Sequence, residues 1–262
     1  MKWTAAKIKA LKGERKIAIL TAYDALTGAL VDSAGLPVVL VGDSLANTVL
    51  GYETTLPVTM AEMLHHTAAV ARGVKEALVI ADMPFMSYQP SIAMGLENAG
   101  RFIKEAHADA VKIEGGVNRV ELISALVENG IPVLGHIGLT PQSVKSMGYR
   151  VQGKTSEQAR KLMDDAMAVE QAGAFALVLE CVPPELGEAI SKSLSIPTIG
   201  IGAGAGCDGQ VLVFTDLLGI SDRSVPKFVK KFAHLNPIIT EALATYKAEV
   251  ESGTFPSGEQ TY

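Results

Sequence analysis

The sequence has few cysteines, a single tryptophan, no block of like charge and no long apolar run. Two cysteines, Cys181 and Cys207, are too few for the disulfide framework of a small secreted domain. The net charge of −5 argues against a nucleic-acid surface, which needs clustered basic residues. No stretch approaches the roughly 18 apolar residues of a membrane span, and the lysine-containing N-terminus lacks the apolar stretch of a signal peptide. These absences predict a cytoplasmic protein that binds neither nucleic acid nor membranes.

The 262 residues alternate between short valine, isoleucine and leucine runs and stretches of helical periodicity. Such alternation predicts βα units and a parallel sheet. Eight strands are predicted, and they begin near Lys16, Pro37, Ala77, Ala110, Pro132, Ala176, Pro197 and Gly209. Eight units suit a closed (β/α)8 TIM barrel of about 250 residues better than an open sheet. A doubly wound open sheet remains the alternative, because periodicity alone does not show closure.

The chain contains no linker, so residues 1–262 are predicted to form one (β/α)8 barrel domain. A short amphipathic helix at the N-terminus is predicted to close one end of the barrel. Thr59 followed by Glu62 is a capping-box signature that opens a helix over residues 60–72. The polar residues 252–262 are predicted to be a loosely held tail.

Ionisable residues stand at the ends of five predicted strands, each after an apolar run and before a turn. They are Asp43, Asp82, Lys112 with Glu114, His136 and Glu180. Charged groups avoid apolar surroundings unless they are paired or bound to a metal. The carboxyl ends of all strands in a (β/α)8 barrel converge on the face that carries the active site. The pattern therefore predicts one shared polar site, and hence an enzyme.

Three of these residues, Asp43, Asp82 and Glu114, would be neighbours around the rim. Clustered carboxylates repel one another unless a positive charge lies among them. Oxygen ligands without cysteine or paired histidine favour a hard cation, and Mg²⁺ above the transition metals. The carboxylates are therefore candidate Mg²⁺ ligands, and Glu114 is also a candidate to act through a bound water. The alternative is that some of them cap helices or pair with lysine and arginine.

The other three residues have roles that the sequence leaves open. Lys112 shares a strand face with Glu114, and beside acids its amine should stay protonated, which favours anion binding over a Schiff base. A role as internal counter-ion is its alternative. Glu180 is a candidate general base, or else an anchor for a helix or loop. His136 is either a polar contact to substrate or a core histidine with satisfied hydrogen bonds.

The segments that contain these residues resemble the ketopantoate hydroxymethyltransferase family. The matches follow in order from about residue 16 to residue 230, and their combination is highly specific. Among them are Val-Gly-Asp-Ser at 41–44, Ala-Asp-Met-Pro-Phe-Met at 81–86, the segment 111–116, Gly-His-Ile-Gly-Leu-Thr-Pro-Gln-Ser at 135–143 and Leu-Glu-Cys-Val-Pro at 179–183.

The resemblance implies a (β/α)8 barrel that transfers a one-carbon unit from 5,10-methylenetetrahydrofolate to 3-methyl-2-oxobutanoate. The product is 2-dehydropantoate (ketopantoate), a precursor of pantothenate and coenzyme A, and the reaction uses Mg²⁺ and a Mg²⁺-stabilised enolate. A homodecamer is implied as well. Carried over to this chain, Asp43 and Asp82 resemble Mg²⁺ ligands with Glu114 at or near the metal, and Glu180 resembles the proton acceptor. The substrate-binding residues are then predicted to be Asp43, Ser44, Asp82, Lys112 and His136.

The nearest rival is a Mg²⁺-dependent 2-oxo-acid lyase or mutase of the phosphoenolpyruvate mutase type. It would share the barrel, the clustered carboxylates and 2-oxo-acid chemistry. Such lyases typically carry a Lys-Lys-Cys-Gly-His-type loop with a catalytic cysteine, and the sequence has no such segment. A phosphate-binding barrel is a weaker rival, since it rests only on the glycine-rich residues 200–206.

Overall fold

The computed structural model describes residues 2–221 and 224–262. The chain forms two compact units, Met1–Val213 and Phe214–Tyr262. All eight strands lie in the first unit, and the second is helical where it is described. The single domain over residues 1–262 and the loosely held tail at 252–262 stay predictions.

Eight parallel strands close into a barrel in chain order, with β8 paired to β1. Each predicted strand start lies within one residue of the observed one. The closed barrel confirms the (β/α)8 prediction over the open sheet. The strands are β1 (Ile17–Thr21), β2 (Val38–Val41), β3 (Leu78–Asp82), β4 (Ala110–Glu114), β5 (Val133–Gly138), β6 (Ala176–Glu180), β7 (Thr198–Ile201) and β8 (Gly209–Leu212).

Helices follow the strands and surround the barrel of the first unit, and 3₁₀ turns occur at Val117–Arg119, Pro141–Ser143 and Gly258–Gln260. None of the described helices is both long and apolar enough to cross a membrane. The helices of the first unit are α1 (Ala5–Lys9), α2 (Ala25–Ser33), α3 (Leu45–Thr48), α4 (Met60–Gly73), α5 (Ile92–Lys104), α6 (Val120–Glu128), α7 (Val144–Met147), α8 (Ser156–Gln171) and α9 (Pro184–Ser193). Those of the second unit are α10 (Phe214–Leu218) and α11 (Leu235–Ser252).

Local signals in the sequence account for the start of α4. The Thr59 side chain accepts a hydrogen bond from the Glu62 backbone N–H, and the Glu62 carboxylate accepts one from the Thr59 backbone N–H at 2.7 Å. Two backbone donors that the helix itself leaves unpaired are thereby satisfied. The predicted capping box is confirmed.

The amino end of the barrel is filled by apolar side chains. Ile8 of α1 is buried in the same cluster as inward-facing residues of the strands, such as Ile17 and Leu134. Trp3 and Leu11 pack against this cluster from outside. The N-terminal helix therefore closes one end of the barrel, as predicted, and leaves the carboxyl end for polar groups.

Candidate functional site

The inward-facing side chains of the strands change from apolar to ionisable toward the carboxyl end of the barrel. In β3, Leu78 and Ile80 belong to the apolar cluster, and the next residue of the same parity is Asp82. In β6, Val178 belongs to that cluster and is followed at the same parity by Glu180. Side chains alternate between the two faces of a strand. Asp82 and Glu180 therefore point to the same face as the apolar residues two positions before them, into the barrel mouth.

Lys112 of β4 is the centre of a buried charged cluster. Its Nζ lies 2.7 Å from Asp82 Oδ1, 3.6 Å from Glu114 Oε1 and 3.3 Å from His136 Nδ1. Burial lowers the pKa of Lys112, but Asp82, Glu114 and Asp43 together outweigh burial and raise that pKa above its ordinary value. The amine is therefore an ammonium, which suits anion binding rather than a Schiff base.

The carboxylates around Lys112 differ in the direction of their pKa shifts. The Asp43 backbone N–H donates to Asp82 Oδ2 at 3.0 Å, which joins the ends of β2 and β3. Burial, together with the negative charges of Asp82 and Glu114, raises the pKa of Asp43 well above its ordinary value. For Glu114, burial raises the pKa, but Lys112 and His136 outweigh it and the pKa is lowered. The cluster thus holds more carboxylates than its own cations neutralise.

Glu180 joins this cluster through His136. His136 Nε2 lies 3.2 Å from Glu180 Oε2, and its Nδ1 lies 3.4 Å from Glu114 Oε1. Burial and Lys112 lower the pKa of His136, but the two flanking carboxylates outweigh them and raise that pKa to about 9. The Glu180 side chain is 16% exposed, whereas that of His136 is only 3% exposed. Glu180 is therefore the acid that an incoming molecule can reach.

Ser44 lies at the edge of the cluster and is partly buried. Its Oγ is 2.8 Å from the hydroxyl oxygen of Tyr23, which follows β1. The substrate-binding role of Ser44 stays a prediction. The structure thus brings Asp43, Asp82, Lys112, Glu114, His136 and Glu180 into one contact network, with Ser44 next to it in the chain.

Two neutral residues that sequence reasoning missed hold the acids in place. The Gln142 side chain donates to Asp43 Oδ2 at 3.0 Å and to the Met83 carbonyl at 2.9 Å, and its backbone N–H donates to Glu114 Oε2 at 3.0 Å. The Tyr88 hydroxyl donates to Gln142 Oε1 at 2.7 Å and accepts from the Glu114 backbone N–H at 3.1 Å. A search for ionisable residues at strand ends does not detect neutral groups in loops, although Gln142 lies within the family-like segment 135–143.

The donor set of the cluster fits a hard cation. Asp43, Asp82 and Glu114 supply oxygen ligands and an excess of negative charge. In residues 2–221 and 224–262, no three histidine, cysteine or acidic side chains surround a common point as around a bound ion. The carboxylates face the Lys112 ammonium instead. The metal role of the three acids stays a prediction.

Cys181, the residue after Glu180, has a thiol unsuited to nucleophilic attack. Burial, helped by the charge of Glu180, raises the pKa of Cys181 to about 11. The thiolate is the nucleophilic form of cysteine, and it is scarce at neutral pH when the pKa is so high. The site therefore offers carboxylates, an ammonium and an imidazole rather than a reactive thiol.

Solved structures with a similar fold include a lyase and a phosphomutase. A 2,3-dimethylmalate lyase of the PEP mutase/isocitrate lyase superfamily matches with a TM-score of 0.63 and 18% identity, covering 100% of this chain and 92% of that one. A phosphoenolpyruvate phosphomutase from Streptomyces platensis matches with a TM-score of 0.64 and 17% identity, covering 95% and 88%. At such identities the likeness shows the barrel fold alone and does not favour lyase or mutase chemistry.

The sequence matches are much closer. The family model described as ketopantoate hydroxymethyltransferase matches residues 2–258. A protein of Syntrophomonas wolfei named 3-methyl-2-oxobutanoate hydroxymethyltransferase is 55% identical over 252 residues, which cover 96% of this chain and 91% of the relative. One of Clostridium novyi with the same name is 56% identical over 255 residues, covering 97% and 93%. This chain is therefore an enzyme that belongs to the ketopantoate hydroxymethyltransferase family.

Proposed function

We propose that this enzyme transfers a hydroxymethyl group from 5,10-methylenetetrahydrofolate to 3-methyl-2-oxobutanoate and so makes 2-dehydropantoate. The observation that carries the proposal is the accessible Glu180 beside a buried network of charges at the mouth of the barrel. Enolisation of a 2-oxo acid needs a base for the C3 proton and positive charge for the anion that results. Both are present within one site of a chain from this family.

Glu180 is the proposed base. It takes the proton from C3 of the oxo-acid, and the electron pair of the C–H bond becomes that of an enolate. The His136 ring, 3.2 Å from Glu180 Oε2, orients the carboxylate toward substrate. Glu114 on the other side of the ring holds His136 in that orientation.

Lys112 and Ser44 are the proposed contacts to the substrate carboxylate. The Lys112 ammonium is fixed by Asp82 at 2.7 Å, so it needs no reorganisation when the anion binds. The enolate carbon then attacks the methylene carbon of the folate, and one of the two nitrogens bound to that carbon leaves with the electron pair and takes up the proton removed from C3. Water next displaces the second nitrogen from that carbon, so that the hydroxyl of water completes the hydroxymethyl group on C3 and its proton goes to that nitrogen.

Asp43 and Asp82 are the proposed ligands of Mg²⁺, with Glu114 at or near the ion. When bound, Mg²⁺ would supply a Lewis acid that stabilises negative charge on the keto oxygen. The raised pKa of Asp43 supports the proposal, because a cation among these acids would offset the repulsion from Asp82 and Glu114.

The first test is deuterium exchange at C3 of 3-methyl-2-oxobutanoate in D₂O, followed by proton NMR with Mg²⁺ and tetrahydrofolate present. We expect the enzyme to remove the C3 signal and Glu180→Gln to slow the exchange by about a hundredfold or more. Glu185→Gln, which alters an exposed acid of α9, is the matched control and should exchange normally. Exchange at the original rate in Glu180→Gln would eliminate Glu180 as the base.

The second test concerns the metal. Asp82→Asn keeps the side-chain shape but removes the negative charge, so we expect Mg²⁺ affinity measured by titration calorimetry to fall about tenfold or more. Asp164→Asn, on the exposed face of α8, is the control for a general charge effect. Equal Mg²⁺ affinity in Asp82→Asn and the unaltered enzyme would refute the ligand role.

The assembly and location are also proposed from the family. A homodecamer would give a mass in light scattering of ten times the chain mass of 27.5 kDa. A cytoplasmic location would place the activity in the soluble fraction of the cell. A monomeric mass at working concentration would contradict the first of these proposals.

A further inference from the structure

A cavity of about 510 Å³ lies beside the charged cluster in the first unit. Its walls come from the turn after β4, the end of β5, the loop that contains α7 and one face of α8. The volume is typical of small-molecule pockets, which usually measure about 300–1,000 Å³. Of the described side chains around it, none is one of the proposed catalytic or metal-binding groups.

The cavity shares its backbone with the charged cluster. Gly115 lines it and directly follows Glu114, and the Gly115 N–H donates to the His136 carbonyl at 2.9 Å. Gly138 also lines it, and the next residue, Leu139, donates its N–H to the Glu180 carbonyl at 2.8 Å. A ligand in the cavity would therefore lie against the segments that hold the proposed base and its histidine.

The cavity combines apolar surface with one fixed carboxylate. Ile137, Met147 and Leu162 supply apolar surface suited to a flat ring system. Asp165 Oδ1 accepts a hydrogen bond from the Val117 N–H at 2.8 Å. The carboxylate also lies against Gly116 so closely that a Cβ there would collide with it. Asp165 is thus held in one place, and a carboxylate retains acceptor capacity after one such bond.

We propose that this cavity binds the pterin of the one-carbon donor, an inference that rests on the proposed function. The 2-amino-4-oxopyrimidine edge of a pterin carries adjacent N–H donors, which match the carboxylate of Asp165. Its rings pack on Ile137, Met147 and Leu162.

Two long segments follow strands β2 and β5, and they differ in their relation to the cavity. The stretch of residues 139–155 contributes to the cavity through Thr140, Ser143, Met147 and Gln152. The stretch of residues 45–57 contributes none of the described lining residues. The donor is therefore placed on the side of β4 and β5, where the backbone of Gly138 pairs with that of Glu180.

The experiment uses the full-length enzyme with Mg²⁺ and measures tetrahydrofolate binding by titration calorimetry. Asp165→Asn keeps an acceptor for the Val117 N–H but replaces the second acceptor oxygen by an amide. We expect about tenfold to hundredfold weaker tetrahydrofolate binding, as for the loss of hydrogen bonds to a charged group. The KM for methylenetetrahydrofolate should rise similarly while the KM for 3-methyl-2-oxobutanoate stays the same. Asp164→Asn, an exposed neighbour on α8, is the matched control with unchanged binding.

Undiminished tetrahydrofolate binding by folded Asp165→Asn would overturn the assignment of the cavity.

Failure of the proposed function would look different. The unaltered enzyme would then show no C3 exchange and no tetrahydrofolate binding, which would overturn both proposals. Normal C3 exchange in the unaltered enzyme, combined with undiminished tetrahydrofolate binding in Asp165→Asn, would overturn the cavity assignment alone. An Asp165→Asn enzyme with a raised KM for the oxo-acid as well would also contradict it, because the damage would then reach the acid–base site.

Discussion

Gln142 shows how a neutral residue organises charged ones. Asp43 and Glu114 belong to different strands, and both accept hydrogen bonds from Gln142, one from its side chain and one from its backbone. Tyr88 in turn holds the Gln142 amide in the orientation that donates to Asp43. Buried acids of like charge are costly unless each is hydrogen-bonded, so this bridge lowers the cost of assembling the site.

Replacement of Gln142 by methionine should therefore destabilise the protein. Methionine has a similar volume but cannot donate to Asp43 or to the Met83 carbonyl, so two buried acceptors lose a partner. We expect the free energy of unfolding to fall by about 1–3 kcal/mol in urea denaturation. Gln171→Met at the exposed end of α8 is the matched control and should have little effect. A loss equal to that of the control would mean that the bridge is energetically neutral.

At the scale of elements, one carboxylate fastens the end of α2 to the start of β3. Asp32 accepts hydrogen bonds from three successive backbone N–H groups, those of Lys75 at 2.8 Å, Glu76 at 3.0 Å and Ala77 at 2.7 Å. These donors precede a strand that ends in the site residue Asp82. Burial raises the pKa of Asp32, but the backbone donors outweigh it and hold that pKa below its usual value of 3.8.

The pH dependence of this link follows from the direction of the shift. A carboxyl whose pKa is lower in the folded state stabilises the fold fully above its unfolded pKa, and that stabilisation is lost as the pH falls through the folded pKa. We expect Asp32→Asn to cost about 1 kcal/mol at pH 7, since Asp32 is only partly buried. The difference from the unaltered protein should shrink below about pH 4. Urea denaturation at pH 7 and pH 3 would measure it, and a difference that grows toward low pH would contradict the assignment.

At the scale of the whole barrel, closure depends on how near the last strand can approach its neighbours. Gly209 of β8 is in register with Ile17 of β1 on one side and with Ile199 of β7 on the other. A Cβ at Gly209 would collide with the Ile17 carbonyl oxygen and approach Ile199 Cδ1 to 2.8 Å. The glycine therefore permits the close strand contact that completes the ring.

A methyl group at this point should weaken closure. We expect Gly209→Ala to lower the free energy of unfolding by about 1–3 kcal/mol, the usual cost of overpacking. Gly100→Ala in α5 is the matched control, because a Cβ there meets no atom within 4 Å. That control should raise stability by up to about 1 kcal/mol, since alanine is the better helix former. Thermal and urea unfolding of the two variants would compare them, and equal effects would remove the closure argument.

Local patterns in the sequence were sufficient to predict the strands and the acids at their ends. Apolar runs locate the starts of β1 to β8 to within one residue, because strands buried on both faces, such as β2 and β3, are rich in apolar residues. Two of these runs end at Asp82 and Glu180. Each acid lies two positions after a core residue, Ile80 or Val178, so its side chain points to the same face of the strand and into the barrel mouth. The capping box at Thr59 is equally local, since all its partners lie within three residues.

The sequence by itself thus determined the type and order of the elements and the identity of the charged residues at the barrel mouth. Only the tertiary structure decided that the ring closes at Gly209, that Gln142 bridges Asp43 and Glu114, and that Asp165 stands in a cavity beside the site. Asp43 and Gln142 are 99 positions apart in the chain, and the sequence around either residue does not indicate that the two are in contact. The periodicity of apolar residues indicates which face of a helix or strand is buried. Contacts between distant loops depend instead on the packing of the whole barrel.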